Sequence, residues 1–292
     1  MALLKFAADK LFTGDTWHGN DHAVILNATG RVEAVLPLSE AGPDVQRIEG
    51  ILSPGFVNCH MHLELSHMRG QIKQGQGMTG FLLSVIHGRK QEPEMIGQAI
   101  LLALAEMQAN GIVAAGDICN TNDTLPLKMN SSVHFHHFIE AIGVEPALAS
   151  QRYAQASQLY GQFAAAFPGR CSIVPHTPYT VSPALMRMVA ESEANQLISL
   201  HSQESRDEEE FLMNGSGPLL SLFDQLKLDP SHIIPTGNRP LAQILSRFKK
   251  KQSLLLVHNV TTTAEDIEYL KTNRDQLPAL TFCLCPRANL YI

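Results

Sequence analysis

The sequence lacks any apolar run approaching the ~20 residues that a bilayer-spanning helix needs, so no membrane segment is expected. It also lacks a concentration of basic residues, apart from Lys249-Lys250-Lys251, and its formal net charge is −6. That balance excludes the basic footprint of a nucleic-acid binder, and the lysine run reads as a solvated stretch. There is no Cys-x-x-Cys pair, and the five cysteines (59, 119, 171, 283 and 285) are odd in number and mostly isolated. No disulfide framework is expected; the cysteines fall in or directly beside predicted strands, where a free thiol behaves as a small buried hydrophobe, and a reducing, cytoplasmic setting follows. Lys5 and Lys10 interrupt the N-terminal apolar stretch and no small-residue cleavage site follows, so no signal peptide is expected. Internal repeats and low-complexity tracts are also missing.

What is present is the composition of a globular protein with a sizeable core, 45% hydrophobic and 17% charged over 292 residues. Residues 1–52 read as short strands (3–8, 23–26, 32–36 and 47–51) with turns at Thr13-Gly14-Asp15 and Thr29-Gly30. After Pro54 the texture changes to strands alternating with helices, the signature of a parallel sheet or barrel. Strands are expected at 56–62, 112–118, 133–140, 172–176, 198–201, 253–258 and 280–285. Residues 95–110 have helical period and are stopped by Gly111. Ser182-Pro183 reads as a cap with proline at the first helical position, and Thr262-x-x-Glu265 as a capping box. Two domains are expected: 1–52, a small β-sandwich part, and 53–292, a (β/α)8-type barrel. Seven barrel strands are countable where a closed (β/α)8 barrel has eight.

The chemistry gathers at strand ends. His60 and His62 are two apart at the end of an apolar strand, so both side chains point to one face. Leu197-Ile-Ser-Leu-His201 is a short apolar strand running into a histidine, with Glu204 on the following turn. Ser253-Leu-Leu-Leu-Val-His258 and Cys171-Ser-Ile-Val-Pro-His176 repeat the pattern. A single strand-end histidine is an ordinary structural residue. Four strands ending this way, one followed by glutamate, point to a metal site with an acid/base at the catalytic end of a barrel. A second His-x-His, His134 and His136, lies on the third strand and is expected deeper than that end and outside the metal site. Glu140, at the end of the same strand, is expected to line the pocket. Arg69 follows the first strand with His67 and offers either a substrate contact or a solvated loop.

Five segments in order, Pro54-Gly-Phe-Val-Asn-Cys-His-Met-His62, Pro175-His-Thr-Pro-Tyr179, His201-Ser-Gln-Glu204, Val257-His-Asn259 and Cys285-Pro-Arg-Ala-Asn289, resemble the motifs of the amidohydrolase superfamily. The similarity is to its metal-dependent deaminase and chlorohydrolase branch, which includes guanine, S-adenosylhomocysteine/methylthioadenosine and aminodeoxyfutalosine deaminases. The resemblance implies a (β/α)8 barrel with a small β-sandwich built from both termini, and one divalent metal, zinc or alternatively iron. It implies His60, His62 and His201 as metal ligands, Glu204 as the proton shuttle, and His258 as the residue holding the attacking water. It further implies His176 as a substrate contact. The family's remaining aspartate ligand sits at the end of strand eight in a Thr-Asp or Ser-Asp pair. None follows Asn289, and neither Asp117 nor Asp275 matches that motif. An incomplete barrel with a weakly filled site and little activity is therefore expected of these residues alone.

The expected function is hydrolytic deamination of an aminated heterocycle, a purine nucleoside derivative or similar, by metal-activated water. The alternatives are a cyclic amidase or chlorohydrolase of the same superfamily, or an inactive remnant. Binuclear cyclic amidases carry a lysine on strand four, and residues 171–182 contain none. The unrelated His/Cys zinc deaminases need a Pro-Cys-x-x-Cys segment, absent from this sequence. The expected partner is a small-molecule substrate, with a homodimer possible, and with no nucleic acid or membrane.

Overall fold

The computed structural model describes residues 3–192 and 195–292. The chain divides into two compact units, the first ending at Phe56 and the second running over Val57–Ile292. The first contains β1 (Leu4–Phe12), β2 (Trp17–His18), β3 (His22–Leu26), β4 (Val32–Pro37) and β5 (Gln46–Leu52). Its sheet has the order β2-β1-β3-β4, with β5 parallel to β1 on β1's other edge. A small core of Ala7, Ala23, Ile25 and Ala41 holds it.

The second unit alternates strands and helices. Its strands are β6 (Phe56–Met61), β7 (Ile112–Cys119), β8 (His134–Ala141), β9 (Cys171–Pro175), β10 (Leu197–Ser202), β11 (Ser253–His258) and β12 (Ala279–Cys283). Between them lie α1 (Gly77–Gly88), α2 (Pro93–Ala109), α3 (Leu125–Lys128), α4 (Ala149–Ala166), α5 (Pro183–Glu191), α6 (Arg206–Asn214), α7 (Leu219–Leu226), α8 (Pro240–Leu245) and α9 (Ala264–Thr272). α10 (Pro286–Tyr291) follows β12, and 3-10 helices occupy Leu63–Met68 after β6 and Pro146–Leu148 before α4. The strands form two parallel sheets, β6-β7-β8-β9 and β10-β11-β12. The sheets meet where His201 N–H donates to the His176 carbonyl at 3.1 Å. Among the described residues no eighth parallel strand is present.

Local sequence accounts for these elements. β9 is buried along its whole length and β11 from Leu254 onward, as parallel strands covered on both faces must be. α2 buries Ile96, Ile100, Leu104 and Met107, an i, i+4, i+8, i+11 stripe. It gives way at Gly111, whose φ of 74° only glycine adopts freely. The Ser182 side chain caps α5 by accepting from Leu185 N–H at 3.3 Å, with Pro183 at the first turn. The core lies between sheet and helices, with Phe138, Val174, Ile198, Leu200, Leu254 and Leu256 packed against Phe163, Leu185 and Leu241.

One capping assignment is corrected. α9 begins one residue later than the Thr262…Glu265 box implies, with Thr263 and Asp266 exchanging the reciprocal bonds. The reason is that the Thr262 hydroxyl is committed to Gln203 Oε1 at 2.6 Å, tying the helix entry to the turn after β10.

Gly116 is where β7 presses closest on the strand bearing His60. A Cβ there would overlap the Cys59 carbonyl oxygen and sit 2.8 Å from the Phe138 ring. Gly161, on α4, faces open space. Gly116→Ala is expected to lower stability by about 1–3 kcal/mol, as overpacking does. Gly161→Ala should be neutral or stabilising by up to about 1 kcal/mol. Urea unfolding of both variants checks the contrast.

Candidate active site

The side chains expected at strand ends meet on one side of the parallel sheets. His62 Nε2 lies 3.2 Å from His60 Nε2 and 3.3 Å from His201 Nε2. Ligand-to-zinc distances of about 2.0–2.1 Å around a roughly tetrahedral ion produce separations of this size. Burial, the largest cause, holds all three imidazoles below their usual pKa, and neighbouring histidines add to this for His60 and His201. They are therefore neutral near pH 7, which is the ligating form. His60 Nδ1 is buried without a partner.

The His201 tautomer is fixed from behind. Its Nδ1 lies 3.0 Å from the His176 carbonyl, an acceptor only, so Nδ1 carries the proton and Nε2 turns its lone pair toward His62. Glu140 Oε1 stands 3.5 Å from the same Nδ1, while Glu140 Oε2 accepts from Asn120 Nδ2 at 3.0 Å. A second convergent grouping, Glu140, His176 and His201, shares this histidine. The donor set of the first grouping, three neutral nitrogens with converging lone pairs, fits a divalent ion such as zinc.

Beside the triad, Glu204 and His258 form a pair, with Oε1 and Nε2 3.2 Å apart and side chains 8% and 7% exposed. His258 Nδ1 is 3.0 Å from Asn289 Oδ1, so it donates and leaves Nε2 as an acceptor. Burial pushes Glu204 up to about 8, with the Glu140 charge adding to it. At neutral pH the carboxyl is protonated and donates to His258. The turn bearing Glu204 is held by Glu208, whose carboxylate accepts the Gln203 and Glu204 N–H groups at 3.0 and 2.8 Å. Gln203, His258 and Asn259 sit at φ of 53°, 78° and 55°, so both strand ends turn sharply through left-handed backbone. Asn259 N–H and Val260 N–H close the turn onto Ser202 O and Gln203 O at 3.0 and 2.8 Å.

The remaining candidates divide. His176 lies beside His201, ring centroids 5.0 Å apart, and its Nδ1 is 2.8 Å from the Thr180 hydroxyl. Burial lowers its pKa to about 4. Arg69 is not brought to the cluster: its guanidinium is 78% exposed and pairs with Glu106 of α2. His136 is spent on Ser172 Oγ at 3.0 Å, and His134 is exposed.

Two residues escaped the sequence reading. Glu64 is 3% exposed, and its Oε2 accepts Asn120 N–H and Thr121 N–H at 2.8 and 2.9 Å. Its Oε1 meets Arg89 Nη2 at 3.1 Å, and burial raises its pKa to about 7. Arg89 and Glu64 thus set the loop whose Asn120 holds Glu140. The available signal was Glu64 standing two residues beyond a candidate ligand.

The sequence model of the Amidohydrolase family matches residues 51–292. The chain belongs to the amidohydrolase family. It is 30% identical over 172 residues to an aminodeoxyfutalosine deaminase of Nitratiruptor sp., an alignment covering 57% of this chain and 42% of that protein. It is 28% identical over 174 residues to a 5-methylthioadenosine/S-adenosylhomocysteine deaminase of Syntrophomonas wolfei, covering 57% and 40%. The chain thus spans about two fifths of the length of these curated relatives. Among solved structures, Helicobacter pylori aminofutalosine deaminase in complex with methylthio-coformycin aligns with a TM-score of 0.82 at 20% identity. That alignment covers 99% of this chain and 71% of that one. Guanine deaminase from C. acetobutylicum with bound guanine gives 0.68 at 15% identity, covering 99% and 69%. The fold is accordingly that of the amidohydrolase superfamily, TIM-barrel-like, with parallel strands presenting the site.

Glu204 gives the site a measurable pH signature. Its folded pKa lies above the ordinary 4.5, so its contribution to stability is fully present below that value and is lost as pH rises through about 8. Glutamine cannot ionise. In metal-free protein, Glu204→Gln should therefore gain stability relative to the parent between pH 5 and 8.5, on the order of a few kcal/mol. Thermal unfolding across that window checks this; a constant difference would mean that Glu204 ionises normally.

Proposed function

We propose that the chain forms the catalytic part of a metal-dependent hydrolase that deaminates an aminated heterocycle of the purine-nucleoside kind. The observation that carries this reading is the Glu204–His258 pair beside three converging, neutral imidazoles. The names of the relatives, aminodeoxyfutalosine and methylthioadenosine/S-adenosylhomocysteine deaminases, support the substrate class. His60, His62 and His201 would hold one divalent ion, zinc or alternatively iron. Such an ion would supply a water whose pKa is lowered toward neutrality.

The chain's own residues supply the proton work. With Glu204 ionised, the lone pair of His258 Nε2 is free to accept from the attacking water and orient it, while Nδ1–H stays committed to Asn289. Glu204 in its carboxylate form takes one proton from the attacking water and delivers it to the ring nitrogen; it then takes the proton of the added hydroxyl and passes it to the departing amine. A pKa near the working pH suits both halves of that exchange. Water adds, ammonia leaves, and a carbonyl replaces the amino group. His176, whose ring lies beside that of His201, is the substrate contact in this proposal. Glu140, held by Asn120 and facing His201 Nδ1, acts through that ligand rather than on substrate. The reading includes a barrel completed to eight strands, a sandwich completed around the first unit, and a cytoplasmic setting.

Ammonia release from adenosine-type, guanine, pterin and s-triazine substrates, assayed with zinc, tests the proposal. Glu204→Gln should reduce turnover on the order of a hundredfold or more while zinc content stays nearly unchanged. Cyclic-amide cleavage or chloride release without ammonia would move the chain to the alternative chemistries. Zinc binding with no turnover of any kind would mark a remnant.

A further inference from the structure

Asp117 and Lys128 form an ion pair with no exposed side-chain surface on either partner. A pair removed this completely from water gives little net stability, and an apolar pair of similar volume is often as stable or more so. Its geometry is nevertheless fully satisfied. Lys128 Nζ meets Asp117 Oδ2, Cys119 Sγ at 3.5 Å and His137 Nδ1 at 3.3 Å, one acceptor for each ammonium proton. The rings of Phe135 and Phe163 lie 5.0 and 5.4 Å from the same nitrogen. β7 and β8 fix the arrangement, since Asp117 and His137 are register partners.

The second oxygen of Asp117 does something an apolar residue cannot. Oδ1 accepts the Leu63 backbone N–H at 2.7 Å. Leu63 is 1% exposed and directly follows His62, at the point where the chain leaves β6 and turns. We infer that the Asp117–Lys128 pair is a positioning device for His62, anchoring the backbone just past that histidine so that its ring meets His60 and His201. Lys128 holds Asp117; Asp117 holds Leu63. The inference rests on the metal-site reading only for what His62 binds, because the anchoring itself is a property of the metal-free chain.

Two double variants separate anchoring from stability. Asp117→Asn with Lys128→Met removes both charges and keeps an oxygen acceptor for Leu63. Asp117→Leu, which keeps the number and branching of side-chain heavy atoms, with Lys128→Met removes both charges and the acceptor, and leaves no buried charge unpaired to prevent folding. In metal-free protein, exchange of the Leu63 amide should be at least tenfold faster in the Leu/Met variant than in the Asn/Met variant. Crystal structures should show the His62 Nε2 contacts at 3.2 and 3.3 Å kept in the Asn/Met variant and opened in the Leu/Met variant. Zinc affinity by chelator competition should fall by about 10–100-fold in the Leu/Met variant alone, while its thermal stability is equal or higher. Equal Leu63 exchange and an unchanged histidine triangle in the two variants would overturn the inference. If zinc fails to bind the parent while Leu63 and the triangle respond as stated, the metal reading falls and the positioning role stands.

Discussion

Parallel strands paired in register end at a common level, and the site depends on that levelling more than on any single contact. Ser202 pairs with His258, His201 with Val257, and Cys119 with Ile139, so the last residues of neighbouring strands emerge side by side. A one-residue slip of β10 against β11 would turn His201 to the opposite face of the sheet and leave the triad with two members. The apolar residues that bury β9, β10 and β11 on both faces therefore act at a distance on the chemistry. They specify register, and register sets the level of the strand ends from which imidazoles 139 residues apart in the chain converge.

Upon that framework, protonation states are settled by partners with a single hydrogen-bonding role. A backbone carbonyl can only accept, so it commits His201 Nδ1 to donate; the Asn289 amide oxygen does the same for His258. The reactive nitrogens are then lone pairs by default. A protonated Glu204 is the complement that His258 Nε2 needs, and burial supplies it. Each assignment forces the next, from backbone to imidazole to carboxyl.

Four of the seven parallel strands were legible because short apolar runs ending in histidine have few other meanings; the other three were legible from the alternation of strand and helix segments, with Pro-Gly, Ser-Pro and Gly111 as punctuation. The convergence of His60, His62 and His201, with Glu204 and His258 beside them, follows from the same strand-end pattern. Arg69 and Glu64 show where such reading stops. Both lie in the segment after β6, both are charged, and sequence alone favours neither. Helix α2 passes within reach of Arg69 and offers it Glu106 at the surface, while the loop after β7 folds over Glu64 and seals it. Lys128 was invisible for a similar reason. A lone lysine in a polar stretch reads as solvated, and only the packing of β7, β8 and α4 encloses it. The capping box missed by one position because Thr262 and Thr263, in a run of three threonines, compete for one cap, and the winner was decided by Gln203, some 60 residues away.

The left-handed backbone at Gln203, His258 and Asn259 bears on how such a site diversifies. These turns aim Glu204 and His258, and glycine, the residue such backbone favours, would delete the His258 ring and the Gln203 bonds to Asp266 and Thr262. Substitution by β-branched residues is closed off by sterics. Sequence change is thereby easier to accommodate in the segments after β6, β7 and β9, where no described non-glycine residue adopts positive φ. Loops around the cluster can vary in shape while the Glu204–His258 corner keeps its backbone.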